Sequence, residues 1–312
     1  MSLQERLASL RAPYQSKAAA SASLSPEVIE RLRALGYLSV SGSHPDSQDT
    51  GPDPKDRIRA YEEYGRALIQ ASTGRLMEAD VAMEALLKDD PDSIDLRMSL
   101  GLDEQKLTRH QQAVQEFQQV LQQDPVNTMA HFNLAVSEFA LDRTSEAVKE
   151  LQAVLAMDPD YTRAEELLGT IWLQKKDYGR AREQFNHLLT VDPNNYTAHY
   201  NLGVLDAMEK RWADSERHLR ASINTDPSSS EAHNSLGSLY LQLGQLEKAR
   251  EEFERAVSLQ PRFAFAHYNL GLVLHQEKQD GGALREFRLA EEADPQFTPA
   301  QQAARKLQSP ER

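Results

Sequence analysis

The sequence predicts an all-α fold, a solenoid of stacked 34-residue helix–turn–helix units. Three observations predict it. Proline stands at 91, 125, 159, 193, 227, 261 and 295, so every step is 34 residues (125 − 91 = 34, and so on to 295 − 261 = 34). Seven landmarks on one ruler, without an insertion, mark a repeated supersecondary unit. With the proline as position 32, each copy holds two amphipathic stretches, across positions 1–14 and about 17–30. Residue sizes also recur in register. Position 7 is Leu100, Leu134, Leu168, Leu202, Leu236 and Leu270, and position 8 is Gly101, Ala135, Gly169, Gly203, Gly237 and Gly271. Position 20 is Ala79, Ala113, Ala147, Ala181, Ser215, Ala249 and Ala283, and position 24 is Met83, Phe117, Leu151, Phe185, Leu219, Phe253 and Phe287. Small residues at 8 and 20 let two antiparallel helices approach closely. Large ones at 7 and 24 fill the space beside them.

The elements follow in chain order. Residues 1–38 read as an N-terminal helical segment. Ser2 to Leu10 opens with a Ser-x-x-Glu capping box. A second helix starts at Ser25-Pro26-Glu27, carries Val28, Ile29, Leu32 and Leu35 as a stripe, and ends at Gly36. Residues 39–57, SVSGSHPDSQDTGPDPKDR, are rich in Ser, Gly, Pro and Asp and read as a linker. Seven repeats occupy 60–297. The first is degenerate: Glu63, Arg66 and Gln70 stand where apolar residues are expected, which suits a terminal repeat with a wet face. Proline at position 32 stops each second helix. Ser93, Asn127, Asn195 and Ser229, at position 34, can cap the first helix of the next copy. Residues 298–312 read as a polar closing helix, TPAQQAARKLQ, and a tail.

This 34-residue pattern, with its small residues at 8 and 20, resembles the tetratricopeptide (TPR) family over residues 60–297. The resemblance implies a right-handed α-solenoid whose first helices line a concave groove. A second resemblance is shorter. SPEVIERLRALGYLS (25–39) followed by PDPKDRI (52–58) is similar to the junction between bacterial sulfatase-type hydrolases and their C-terminal TPR tails. It implies a docking or assembly module of such an enzyme. The enzyme's own Cys/Ser-x-Pro-x-Arg signature is not in this sequence.

Four motif histidines share position 4: His131, His199, His233 and His267. That position lies on a face with 7, 8 and 11, so each is expected to fill space against the preceding repeat with one hydrogen bond. Equivalent residues of successive repeats lie one helix-packing step apart, about 8–10 Å, too far to share one ion through bonds of about 2 Å. No His-x-x-x-His or His-Glu-x-x-His occurs. The expected metal and cofactor content is none.

Positions 2, 5, 6, 9, 12 and 13 form the opposite face of the first helix. Asn133, Asn201 and Asn269 recur there at position 6. An amide both donates and accepts, which suits the backbone of an extended peptide. The row resembles that of the protein-binding arrays of O-linked N-acetylglucosamine transferase. Met98, Leu102, Phe132, Val136, Phe139, Tyr200, Val204, Phe265, Tyr268 and Leu272 make the same face apolar, with Asn234 and Ser238 among them. Contiguous apolar surface of this kind marks a binding site. The carboxylate clamp that takes acidic chaperone tails needs Lys at position 5 and Asn at 9. Met98/Leu102, Phe132/Val136, Glu166/Thr170, Tyr200/Val204, Asn234/Ser238 and Tyr268/Leu272 provide no such pair.

Charge and composition exclude other classes. With 35 Lys+Arg against 48 Asp+Glu the net charge is −13, the wrong sign for phosphate binding, so no nucleic-acid partner is expected. The absence of cysteine removes thiolate metal sites and cysteine nucleophiles and leaves the compartment open between cytoplasm and periplasm. No run approaches the roughly 18 apolar residues of a membrane span, and the N-terminus lacks the apolar core of a signal peptide. No Ser/His/Asp set, phosphate loop or paired-carboxylate motif stands at a readable spacing. The function expected is a non-catalytic scaffold that holds a protein or peptide in the groove. Self-association through the end repeats is a second route to a partner.

Overall fold

The computed structural model describes residues 54–308. Among these residues there are fifteen helices and no strand. Contacts divide the chain into two compact units, 1–159 and 160–312.

The described part of the first unit holds three helical hairpins. They are α1 (Pro54–Ser72) with α2 (Leu76–Asp89), α3 (Ile94–Lys106) with α4 (His110–Gln123), and α5 (Thr128–Ala140) with α6 (Thr144–Met157). The second unit holds four hairpins and a closing helix. They are α7 (Thr162–Gln174) with α8 (Tyr178–Val191), α9 (Tyr196–Met208) with α10 (Trp212–Thr225), α11 (Ser230–Gln242) with α12 (Leu246–Leu259), α13 (Ala264–Gln276) with α14 (Asp280–Ala293), and last α15 (Thr298–Gln308). Helix α1 begins at Pro54, inside the stretch read as linker. The N-terminal segment 1–38, most of the linker, the sulfatase-like string 25–39 and the last four residues lie outside the described residues.

In both units each helix packs on the next, and first helices also touch across repeats: α1 with α3 and α3 with α5, then α9 with α11 and α11 with α13. Among the described residues no pair of second helices makes a comparable contact. The first helices α1, α3 and α5 therefore form one layer in the first unit, and α9, α11 and α13 one in the second, with the second helices outside it.

The predicted size code works as close packing. A Cβ placed on Gly101, Gly169, Gly237 or Gly271 would lie 2.5–2.8 Å from the ring of Phe117, Phe185, Phe253 or Phe287. Those phenylalanines are at most 1 % exposed. Each ring occupies the space where a side chain at position 8 would sit, so position 8 must stay small. Alanines 79, 113, 147, 181, 249 and 283 are fully buried on the facing helix.

Each first helix ends the same way. Position 15 has a left-handed φ in all seven repeats: Gly74 and Gly244, and also Thr108, Asp142, Lys176, Lys210 and Lys278 at 59–62°. The N–H of position 16 reaches back to the carbonyl of position 11, as in Arg109 to Glu104 at 2.8 Å and Arg211 to Asp206 at 2.8 Å. This Schellman closure turns the chain within three residues and sets the hairpin. At the other end, Asn127, Asn195 and Ser229 accept the N–H of Ala130, Ala198 and Ala232 as expected. Ser93 makes no such bond.

Candidate functional site

The layer of first helices carries the candidate surface. In the first unit much of it is closed. Phe132 and Phe139 are 4 % and 3 % exposed, and Asn133 is buried with them. These three residues therefore offer little surface, against the expectation of a lined groove. Met98 and Leu102 are half-buried against Val114, Phe117 and Leu134, and Val136 is half-buried as well. Gln105 ties α3 to α5 by donating to Asn133 O and Ser137 Oγ, both at 2.7 Å.

The second unit is more open. Tyr200, Asn201, Val204, Asn234, Ser238, Tyr268, Asn269 and Leu272 are half-buried, and Phe265 is 51 % exposed. Tyr200 stacks on Tyr196 with ring centroids 5.9 Å apart, and Ser235 Oγ approaches its hydroxyl at 3.4 Å. Tyr268 and Phe265 both lean on Phe297, at 5.4 and 4.7 Å. Phe297, just before α15, is not among the residues that the sequence places on this face.

The asparagine row differs from its expected role. Asn133 and Asn201 donate to the carbonyls of Met129 and Thr197, one turn back on their own helices, both at 2.8 Å. Asn269 donates to Asn234 Oδ1 at 3.0 Å and approaches Ser238 Oγ at 3.4 Å. Each amide thus uses at least one donor inside the protein, two of them on their own helix and one across to the preceding first helix.

The position-4 histidines meet the preceding repeat as expected, at its closing turn, and also face their own second helix, so each makes two hydrogen bonds instead of one. Nδ1 of His131, His233 and His267 meets a carboxylate oxygen of Glu150, Glu252 and Glu286 at 2.6–2.7 Å. Nε2 meets the carbonyl of Pro125, Pro227 and Pro261 in the turn before, at 3.0–3.4 Å. The reason is geometric: the preceding turn folds under position 4 and presents its free carbonyl. For His267, burial opposes the cation, but Glu286 and the Pro261 carbonyl outweigh it and raise the pKa above the usual histidine value. Both ring nitrogens then donate.

One repeat breaks this pattern. Position 23 is His218 instead of glutamate, and the Nδ1 atoms of His199 and His218 lie 2.9 Å apart. His199 Nε2 faces Pro193 O at 3.0 Å, and Arg217 approaches His218 Nε2 at 3.4 Å. The network assigns the protons: His199 donates to Pro193 and accepts from His218, which accepts from Arg217. Burial lowers the His218 pKa, with His199 and Arg217 adding to it and Asp206 and Asp214 opposing. Arg182 and Arg211 hold Asp206 at 2.8 and 2.6 Å.

An open cleft of about 370 Å³ lies between α9, α10 and α11. Val204 and Ser238 of the expected face line it, together with Met208, Trp212, Leu219 and Leu239. The sequence reading did not single out Trp212 or Leu219 for binding. Their signal was a departure from the repeat: Leu219 stands where four other repeats have phenylalanine.

The fold and this layered face define a helical-repeat solenoid. Models of tetratricopeptide-repeat families match residues 106–171, 173–231 and 218–251, and a TPR-repeat model matches 237–278. The chain is a tetratricopeptide-repeat protein. A tetratricopeptide repeat protein from Parabacteroides merdae ATCC 43184 is similar over 80 % of this chain and 99 % of that one, at 19 % identity and a TM-score of 0.62. A chain of the APC/C hetero-tetramer Cut9-Hcn1 is similar over 90 % of this chain and 51 % of that one, at 13 % identity and a TM-score of 0.64. YrrB, a TPR protein with an unusual peptide-binding site, is similar over 61 % of this chain and 97 % of that one, at 20 % identity and a TM-score of 0.50. At these identities the likeness is one of fold. A comparison with curated proteins returned no match. Among the described residues no helix is long and apolar enough to cross a membrane.

Proposed function

We propose that the protein is a non-catalytic scaffold that binds an extended peptide or protein segment on the first-helix face of its second unit. One observation carries this reading. The face presents Tyr200, Asn234, Ser238, Phe265, Tyr268 and Leu272, all uncharged and none buried, in a chain of net charge −13. Aromatic and amide surface left at the solvent boundary is the composition of a recognition surface rather than of a solvated helix face. The peptide-binding site of YrrB, on the same fold, supports it. Nucleic acid is disfavoured as a partner by the acidic charge.

Selection from a random peptide library tests the reading. Peptides enriched on the wild type are measured by fluorescence anisotropy against the Tyr200→Glu/Tyr268→Glu variant, with circular dichroism to check the fold. Binding is expected to vanish in the folded variant. Equal binding to both proteins overturns the reading. The alternative, a module of a sulfatase-like hydrolase, rests on the string 25–39 and is tested by whether a hydrolase is encoded upstream in the same reading frame.

A further inference from the structure

The fifth repeat, residues 196–229, departs from its neighbours on one helix. Four positions of α10 carry residues unlike those of the other repeats. Position 20 is Ser215 where the other six repeats have alanine, and position 27 is Ser222 where they have Leu, Val or Ala. Position 23 is His218 where repeats three, six and seven have the glutamate that pairs with their position-4 histidine. Position 24 is Leu219, and it faces Gly203: a Cβ there would lie 2.7 Å from Leu219 Cγ. Every other glycine at position 8 faces a phenylalanine. The third repeat also has a leucine, Leu151, but sets Ala135 opposite it. Repeat five alone combines the smallest residue at 8 with a residue smaller than phenylalanine at 24. The next helix adds to the deficit, because Ser235 stands at position 6 where three other repeats have asparagine.

Of these departures only Leu219 and Ser235 line the cleft, each smaller than the residue that several other repeats hold there: leucine for the phenylalanine of four repeats, serine for the asparagine of three. Leu219 forms its floor, Val204, Met208 and Leu239 its sides, and Trp212 its rim, while Lys210 stands at the mouth. Lys210 is exposed on the turn, and among the described residues no carboxylate lies within ion-pair distance of it. Its neighbour Glu209 is already paired with Arg182 at 3.2 Å and Arg211 at 3.0 Å. The mouth therefore carries an unneutralised positive charge beside an apolar hollow, in a protein that is acidic overall.

We infer that this cleft is the anchor subsite of the groove, taking one large apolar side chain of an extended peptide that carries an acidic group beside it. The inference rests on the groove reading above and adds which side chain is recognised and where. Apolar walls and a missing ring volume select a large apolar group, and Lys210 selects an acidic neighbour.

The test fills the cleft with what the other repeats already hold. Leu219→Phe recreates the Gly/Phe pair that four repeats pack, so the variant is expected to fold with an unchanged thermal midpoint. The probe is 1-anilinonaphthalene-8-sulfonate, an aromatic anion. Its binding is read by quenching of Trp212 in a Trp172→Phe background, which leaves Trp212 as the sole indole. Leu219→Phe is expected to weaken the probe by about tenfold or more, and Lys210→Glu by about threefold or more. Equal probe affinity for wild type and Leu219→Phe overturns the inference. The library-selected peptides separate it from the groove reading. Peptides that lose affinity in the Tyr200→Glu/Tyr268→Glu variant but bind Leu219→Phe as tightly as wild type leave the groove standing and overturn the anchor.

Discussion

At the scale of single residues, the least comfortable groups are ionisable ones in the seams. Glu104 is buried, its Oε2 has no hydrogen-bond partner among the described residues, and its pKa is pushed up to about 7. Burial is the main cause, with Glu116, Asp80 and Glu84 adding to it and Arg109 opposing. Glu138 and Asp206 occupy the same position 11 and are held by Arg143 and Arg211, at 3.3 and 2.6 Å. The corresponding Arg109 goes to Asp80 instead, at 3.2 Å. A carboxyl with a raised folded pKa binds its proton more tightly when folded, so stability falls as pH rises from the ordinary range near 4.5 through 7. Glu104→Gln should therefore raise stability at pH 8 by about 1–3 kcal/mol and change little at pH 4. Urea titrations at the two pH values check this, and an equal effect at both would refute it. His218 has the opposite dependence. Its lowered pKa keeps it neutral when folded, so stability is present above the ordinary 6.5 and is lost as pH falls through that value. His218→Glu restores the acid that His131, His233 and His267 meet. The drop in thermal midpoint between pH 8 and pH 5 should shrink in that variant. An unchanged drop would show that the histidine pair does not govern it.

Elements are closed by turns that the repeat pattern alone does not reveal. The proline ruler marks where each second helix stops, and three of the four expected caps form. The end of each first helix depends on a left-handed residue at position 15, and only Gly74 and Gly244 announce it by type. Thr108 takes φ 60° there with a β-branched side chain, a conformation that disfavours any residue with a Cβ and β-branched ones most. Thr108→Gly should raise stability by about 0.5–1 kcal/mol, the relief of strain exceeding glycine's entropy cost. The midpoint of chemical unfolding measures it, and a loss of stability would show that strain is absent. Helical spacing places position 4 on the face with 7, 8 and 11; the turn of the preceding repeat lies against one ring nitrogen, and the repeat's own second helix supplies the second partner that spacing alone does not show.

For the molecule as a stack, each hairpin buries its faces only against neighbours, so local damage should stay local. Helix α15 closes the second unit with Ala300 and Ala304 buried at 0 % and 4 %, Ala304 packing with Ala283 and Phe287. Ala304→Glu should detach this helix. Amide exchange in α13 and α14 should speed up while α9 and α10 keep their protection. Uniform loss of protection through residues 160–308 would mean that the unit unfolds all at once.

The repeat, its two helices and the small-to-large pairing are legible from the letters, because periodic packing demands the same residue at every turn of the ruler. The broad face that carries Tyr200, Phe265 and Tyr268 is legible for the same reason. The state of each residue on that face is not. Phe132 and Phe139 share positions with open residues yet are buried, and Asn201 uses a donor on its own helix. Burial and hydrogen-bond partners depend on which neighbour the next repeat supplies, and that distance exists only once the helices have stacked. The cleft above Leu219 is the sharpest case: one substitution is a minor letter change in the sequence, and it becomes a hollow only when Val204 and Ser235 are brought around it.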